Sequence, residues 1–115
     1  MDQYYTVRTP QLSVIPRRYE GSICKIIERS TSYHRSFIEF GDGLRWSCRN
    51  TDLIPIDRNK KIVKVKYADE DRYAKVIRTY KYKVVVQIKR GELIGYKREH
   101  ILSIVSNNKF DYIRW

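Results

Sequence analysis

The run Tyr80-Lys81-Tyr82-Lys83 interleaves two rings with two ammonium groups, and it does not stand alone. Lys64 and Lys66 alternate upstream, Lys75 and Arg78 follow, and the pairs Lys89-Arg90 and Lys97-Arg98 come after. Such cations neutralise phosphates and release counterions, while a tyrosine can pack on a sugar or stack on an unpaired base. Taken singly, each of these lysines is an ordinary solvated strand residue; the grouping carries the argument. Residues 1–57 hold 8 Lys/Arg against 7 Asp/Glu, and residues 58–115 hold 16 against 6, so nearly all of the net charge of +11 lies in the second part. An even basic surface serves solubility, whereas a one-sided excess is the footprint of a face that binds a polyanion.

Other chemistries find little purchase. His34 sits in a Ser/Thr-rich stretch and His100 in a short polar run, and neither has a cysteine or carboxylate spaced to complete a triad or a metal site. Gly41, Gly43, Gly91 and Gly95 belong to hairpins and form no phosphate-cradling loop. Cys24 and Cys48 lie inside apolar runs without CxxC spacing and read as reduced, buried small hydrophobes. No enzyme and no cofactor are expected.

The elements that must position the cations are announced by a repeat. "SFIEFGDGLRWSCRNTDLIPI" (36–56) overlays "VVVQIKRGELIGYKREHILSI" (84–104) without a gap, pairing Phe37 with Val85, Ile38 with Val86, Phe40 with Ile88, Trp46 with Ile94 and Gly43 with Gly91. Upstream, "GSICKIIER" (21–29) matches "DRYAKVIRT" (71–79), and the two-residue difference in offset falls in the loop between. Each copy reads as a strand, a loop, a hairpin, a single helical turn at "NTDL" or "REHI", and a closing strand. "IVKVKY" (62–67) alternates as a half-buried strand with a basic outer face, "ADEDR" (68–72) as an acidic loop, and "SNNKFDYIRW" (106–115) as a short terminal helix. The expected fold is all-β, with two tandem SH3-like barrels, residues 1–57 and 58–115, packed as one unit with that helix at the end. A core this small gains stability by sharing an interface.

At this point "YEGSICKI", "FIEFGDG" and "TDLIPID", followed by "DEDRYAKVI" and "GYKREHILSIV", resemble the tandem Tudor module of DNA-damage checkpoint mediator adaptors over about residues 19–113. The resemblance implies a nuclear, non-enzymatic, monomeric chromatin reader that holds a methylated histone lysine in an aromatic cage on the first barrel, with DNA as a further partner. A cage works by attracting a methylammonium to ring faces, with a carboxylate accepting a proton from a mono- or dimethylated one. Carried over by position, Tyr19 and Phe40 are cage rings and Asp42 the carboxylate. Leu44 and Leu12 stand where the family has aromatics, and Trp46, Tyr4 and Tyr5 are the replacements within reach. Phe40 and Trp46 read equally as barrel core, and Asp42 as plain turn chemistry beside Gly43.

Lys64, Lys66, Lys75, Arg78, Lys81, Lys83, Lys89, Arg90, Lys97 and Arg98 are nominated as the nucleic-acid-binding face by their charge and grouping in the second copy, not by the resemblance. With 32% charged residues and no apolar run near about 18 residues, no membrane partner is expected. "MDQYYTVRTP" shows neither a secretory nor a transit pattern. An alternative reading is a small phage or host-defence protein whose Tudor-like doublet binds protein, with little salt-sensitive DNA binding.

Overall fold

The structure is a computed structural model that describes residues 3–30, 34–89 and 91–106. It is all-β: two antiparallel five-stranded sheets, with three single 3-10 turns as the only helical elements among the described residues. The first sheet holds β1 (Tyr4–Val7), β2 (Ile23–Ser30), β3 (Arg35–Phe40), β4 (Arg45–Arg49) and β5 (Leu53–Pro55), in the order β4-β3-β2-β1-β5. The second holds β6 (Ile62–Tyr67), β7 (Glu70–Thr79), β8 (Lys83–Gln87), β9 (Ile94–Lys97) and β10 (Ile101–Ser106), in the order β9-β8-β7-β6-β10. In both, the first strand lies between the second and the fifth.

The register repeats along with the order. Lys25 faces Glu39 and Ile26 faces Ile38 in the first sheet, and Lys75 faces Gln87 and Val76 faces Val86 in the second. Each ladder then skips one residue, Ile27 or Ile77, before resuming at Glu28 opposite Phe37 and Arg78 opposite Val85. A bulge at matching places bends both long second strands. The 3-10 turns Asn50–Asp52 and Arg98–His100 match in the same way and stand where single helical turns are expected.

One expectation changes, and the repeat proves longer than the sequence shows. "IVKVKY" has a counterpart, because Tyr4 faces Lys25 as Ile62 faces Lys75, which makes β1 the equivalent of β6. The likeness is hidden in the sequence because residues 8–22 separate β1 from β2, whereas β6 turns into β7 over Ala68 and Asp69 alone, at φ 50° and 65°. The stretch 68–72 is accordingly no loop: Glu70, Asp71 and Arg72 already lie in β7, and Lys66 Nζ reaches the facing Asp71 Oδ1 at 2.8 Å. Opposite charges across the ladder favour strand over loop there. The expected terminal helix falls outside the described residues.

Among the described residues, three apolar clusters hold the fold together. Tyr19, Cys24, Ile38 and Phe40 anchor the first sheet's core, and Val63, Val65, Ala74, Val84 and Val86 the second's. The third joins Tyr4, Ile23 and Ile56 to Ile62 and Tyr73, so that matching positions of the two copies meet back to back. Tyr4 and Tyr73 pack edge to face at 5.4 Å, and Tyr4 Oη donates to the Val105 carbonyl at 3.2 Å. Gly41, just after β3, lies so close to β7 that a Cβ there would stand 2.5 Å from the Tyr73 nitrogen and 2.6 Å from the Arg72 carbonyl carbon. Only glycine permits that approach.

Candidate nucleic-acid interface

Tyr19 and Phe40 are brought together, though not as an open cage. Tyr19 ends the 3-10 turn Arg17–Tyr19 and stacks on Phe40 at 4.3 Å and 26°; neither ring is exposed. The tyrosine hydroxyl donates to Asp42 Oδ2 at 2.7 Å, and Asp42 Oδ1 accepts the Leu44 N–H at 3.0 Å, which closes the turn over Gly43. The Arg18 and Arg72 guanidinium carbons lie 4.9 and 5.4 Å from the Tyr19 ring centre. Burial, then the Asp42 hydrogen bond and charge, push the Tyr19 hydroxyl above its ordinary range. Ring faces and carboxylate are therefore already engaged, and a methylammonium enters only if the stack opens.

Trp46 faces Ile38 across β3 and β4, packs on the same core, and buries its Nε1 without a protein hydrogen-bond partner. The other aromatic replacements lie elsewhere. Tyr4 belongs to the cluster between the units, and Tyr5 accepts a hydrogen bond from Arg29 at 2.9 Å. Leu12 is 89% exposed.

The basic residues differ in whether they meet a carboxylate and in where they lie on the fold. Lys66 is ion-paired with Asp71 at 2.8 Å and Lys89 with Glu92 at 3.8 Å. Lys64 lies over the Tyr73 ring at 5.8 Å, and Lys75 lines a cavity of about 500 Å³ between the two sheets, with Lys89, Ile23 and Ile54. Arg90 lies outside the described residues. The remaining five converge where β7 turns into β8 beside the end of β9. Lys83 stands directly opposite Lys97, Arg78 opposite Val85, and Val85 opposite Gly95, so all share one outer face. Arg98 donates through Nε, at 3.0 Å, and through Nη2 to the Tyr80 carbonyl, fixing the turn against the 3-10 element. Lys81 lies over Tyr82 and Lys83 over Tyr80, each at 5.4 Å.

Two features escape sequence reasoning. Burial, then the charge of Arg98, press Lys61 below its ordinary range. Arg35 stands directly opposite Arg49 in the first sheet, the place that Lys83 and Lys97 occupy in the second. The 48-residue offset is the signal that would have paired them. Among the described residues, none of Arg35, Arg49, Lys83 and Lys97 forms an ion pair.

The remaining reactive side chains are inert by placement. Burial, helped by the neighbouring Cys48, drives the Cys24 thiol far up, and burial pushes Cys48 up to about 11. No group of three or more His, Cys, Asp or Glu converges as metal ligands among the described residues. Compared with known proteins, the chain matches no family model, no curated protein and no solved structure.

Proposed function

We propose that the chain is a non-enzymatic chromatin-binding module made of two SH3-like barrels of the Tudor type, contacting DNA through the second. Strand order supports the barrel reading: a first strand between the second and fifth, a bulged second strand, and a 3-10 turn into the fifth. A bulge of that kind lets a short sheet curl over its own core. The observation that carries DNA contact is Lys83 facing Lys97, both exposed, with Arg78 on the same face. Like charges directly opposed are mildly destabilising in a sheet, and a phosphate lying between or across them would relieve that repulsion.

Lys83→Glu tests this at one position. It turns a repulsive cross-strand pair into an attractive one, so the expected result is a slightly higher melting midpoint together with weaker DNA binding. The slope of log K against log salt should fall by about one phosphate equivalent or more. Binding of a mixed-sequence duplex with an unchanged slope would remove this face from the interface.

Methyl-lysine recognition is the subordinate reading, favoured by the convergence of Tyr19, Phe40 and Asp42. It requires the stack to open, and a dimethylated histone-tail peptide that shifts the Asp42 and Leu44 amides in NMR spectra would report that opening.

A further inference from the structure

Tyr80 and Tyr82 are 45% and 76% exposed, although covering a ring of that size is favourable. Their loop is held in place. The Tyr80 N–H donates to the Lys83 carbonyl at 2.8 Å, and the Tyr80 carbonyl accepts both donors of Arg98. Each ring carries one ammonium at 5.4 Å from its centre, so ring and cation come as a unit, twice in four residues.

Lysines alone would suffice for a duplex, which shows proteins its phosphates and base edges while its base faces stay hidden in the stack. An exposed ring beside a cation matches a different ligand, one whose base faces are free and whose phosphates follow at the next step of the chain. From the loop, the outer face of β8 and β9 continues the track through Lys83, Lys97 and Arg78. Gly95 lies among them with only the Lys83 Cδ, at 3.9 Å, near the place of a Cβ. A strand glycine in that setting lets a ligand come close to the backbone.

We infer that the 80–83 loop is a stacking platform for unpaired bases, which makes single-stranded nucleic acid, or a single-stranded segment of opened duplex, the preferred ligand of the basic face. The inference rests on the nucleic-acid reading proposed above and narrows its substrate class. Stacking reads the base face common to both sugars, so DNA and RNA strands are separate arms of the test.

The experiment measures affinities of the full chain for oligo-dT, oligo-rU and a mixed-sequence duplex, for the wild type and for Tyr82→Leu, Tyr82→Phe and Tyr80→Leu. The rings are exposed, and melting curves confirm that each variant is folded. Expected are tighter binding of the single strands than of the duplex and a loss of roughly 5- to 100-fold in single-strand affinity on Tyr82→Leu. Tyr82→Phe should restore binding, and duplex affinity should stay unmoved by either change. Equal effects of dT and rU place recognition in the base stack; a preference for one adds the sugar. Single-strand binding that is indifferent to both Leu variants, or a duplex bound more tightly, overturns the inference while leaving the broader reading intact. Failure of all three ligands to bind overturns both.

Discussion

Lys83 and Lys97 face each other across β8 and β9 as Arg35 and Arg49 do across β3 and β4, so the same electrostatic cost is built into both copies. The two pairs differ in surroundings. Arg35 is partly spent on Ser47, donating to its Oγ at 3.0 Å and its carbonyl at 3.1 Å, while Lys83 lies over Tyr80 and keeps its charge outward. A second residue-scale consequence concerns the thiols. Cys48 ionises at 9.0 in an unfolded chain and at about 11 when folded, so the unfolded state loses its proton first as pH rises. The stability held by the neutral thiol is complete below pH 9.0 and disappears as pH climbs towards about 11. Melting curves across that window should fall for the wild type and fall less steeply for Cys48→Ala. An equal slope in both would assign the alkaline loss to other groups. Residue types were legible from sequence here, but partners were not: nothing in "FGDG" says that Asp42 accepts from Tyr19, because residues 19 and 42 meet only when the turn closes over the core.

At the scale of elements, two backbone features invite substitution. Ala68 at φ 50° holds a left-handed conformation that costs a Cβ-bearing residue about 1 kcal/mol, in a two-residue hairpin that favours Asn or Gly at that place. Ala68→Asn is expected to raise unfolding stability by about 0.5–1 kcal/mol in urea titration, and Ala68→Val to lower it. Gly41→Ala should act in the opposite sense. The added carbon meets the β7 backbone, which cannot swing aside as a long side chain can, and overpacking of that kind costs about 3 kcal/mol. A midpoint unchanged by Gly41→Ala would show that β3 and β7 part without penalty. Strands, hairpins and the 3-10 turns were legible because alternation and turn residues are local signals. β1 was not, since "YYTV" shares no clear pattern with "IVKVKY" and residues 8–22 break the spacing.

At the scale of the whole molecule, the cluster of Tyr4, Ile23, Ile56, Ile62 and Tyr73 makes the two sheets one body. Tyr73 is 4% exposed and supplies the ring that Tyr4 packs against, so Tyr73→Ala should cost about 3–5 kcal/mol. A single cooperative transition is expected for the wild type, with calorimetric and van't Hoff enthalpies in agreement. Two separated transitions would mean that the units fold independently. The interface is also asymmetric. Gly41 closes it on one side, while on the other the equivalent position, Lys89, borders the cavity shared with Ile23 and Ile54.

By itself, the sequence determined that this protein is a β-rich doublet with its charge on the second copy. Those features live in alternation, turn residues and composition, each of which acts over a few neighbours. Tertiary structure decided the rest. Whether Tyr19 and Phe40 form an open cage or a stacked core depends on how a 3-10 turn lands on β3. Which of ten nominated cations remain available depends on which meet a carboxylate across a ladder, as Lys66 does and Lys83 does not. Both are long-range pairings, and a chain reveals these only when its strands have found their register.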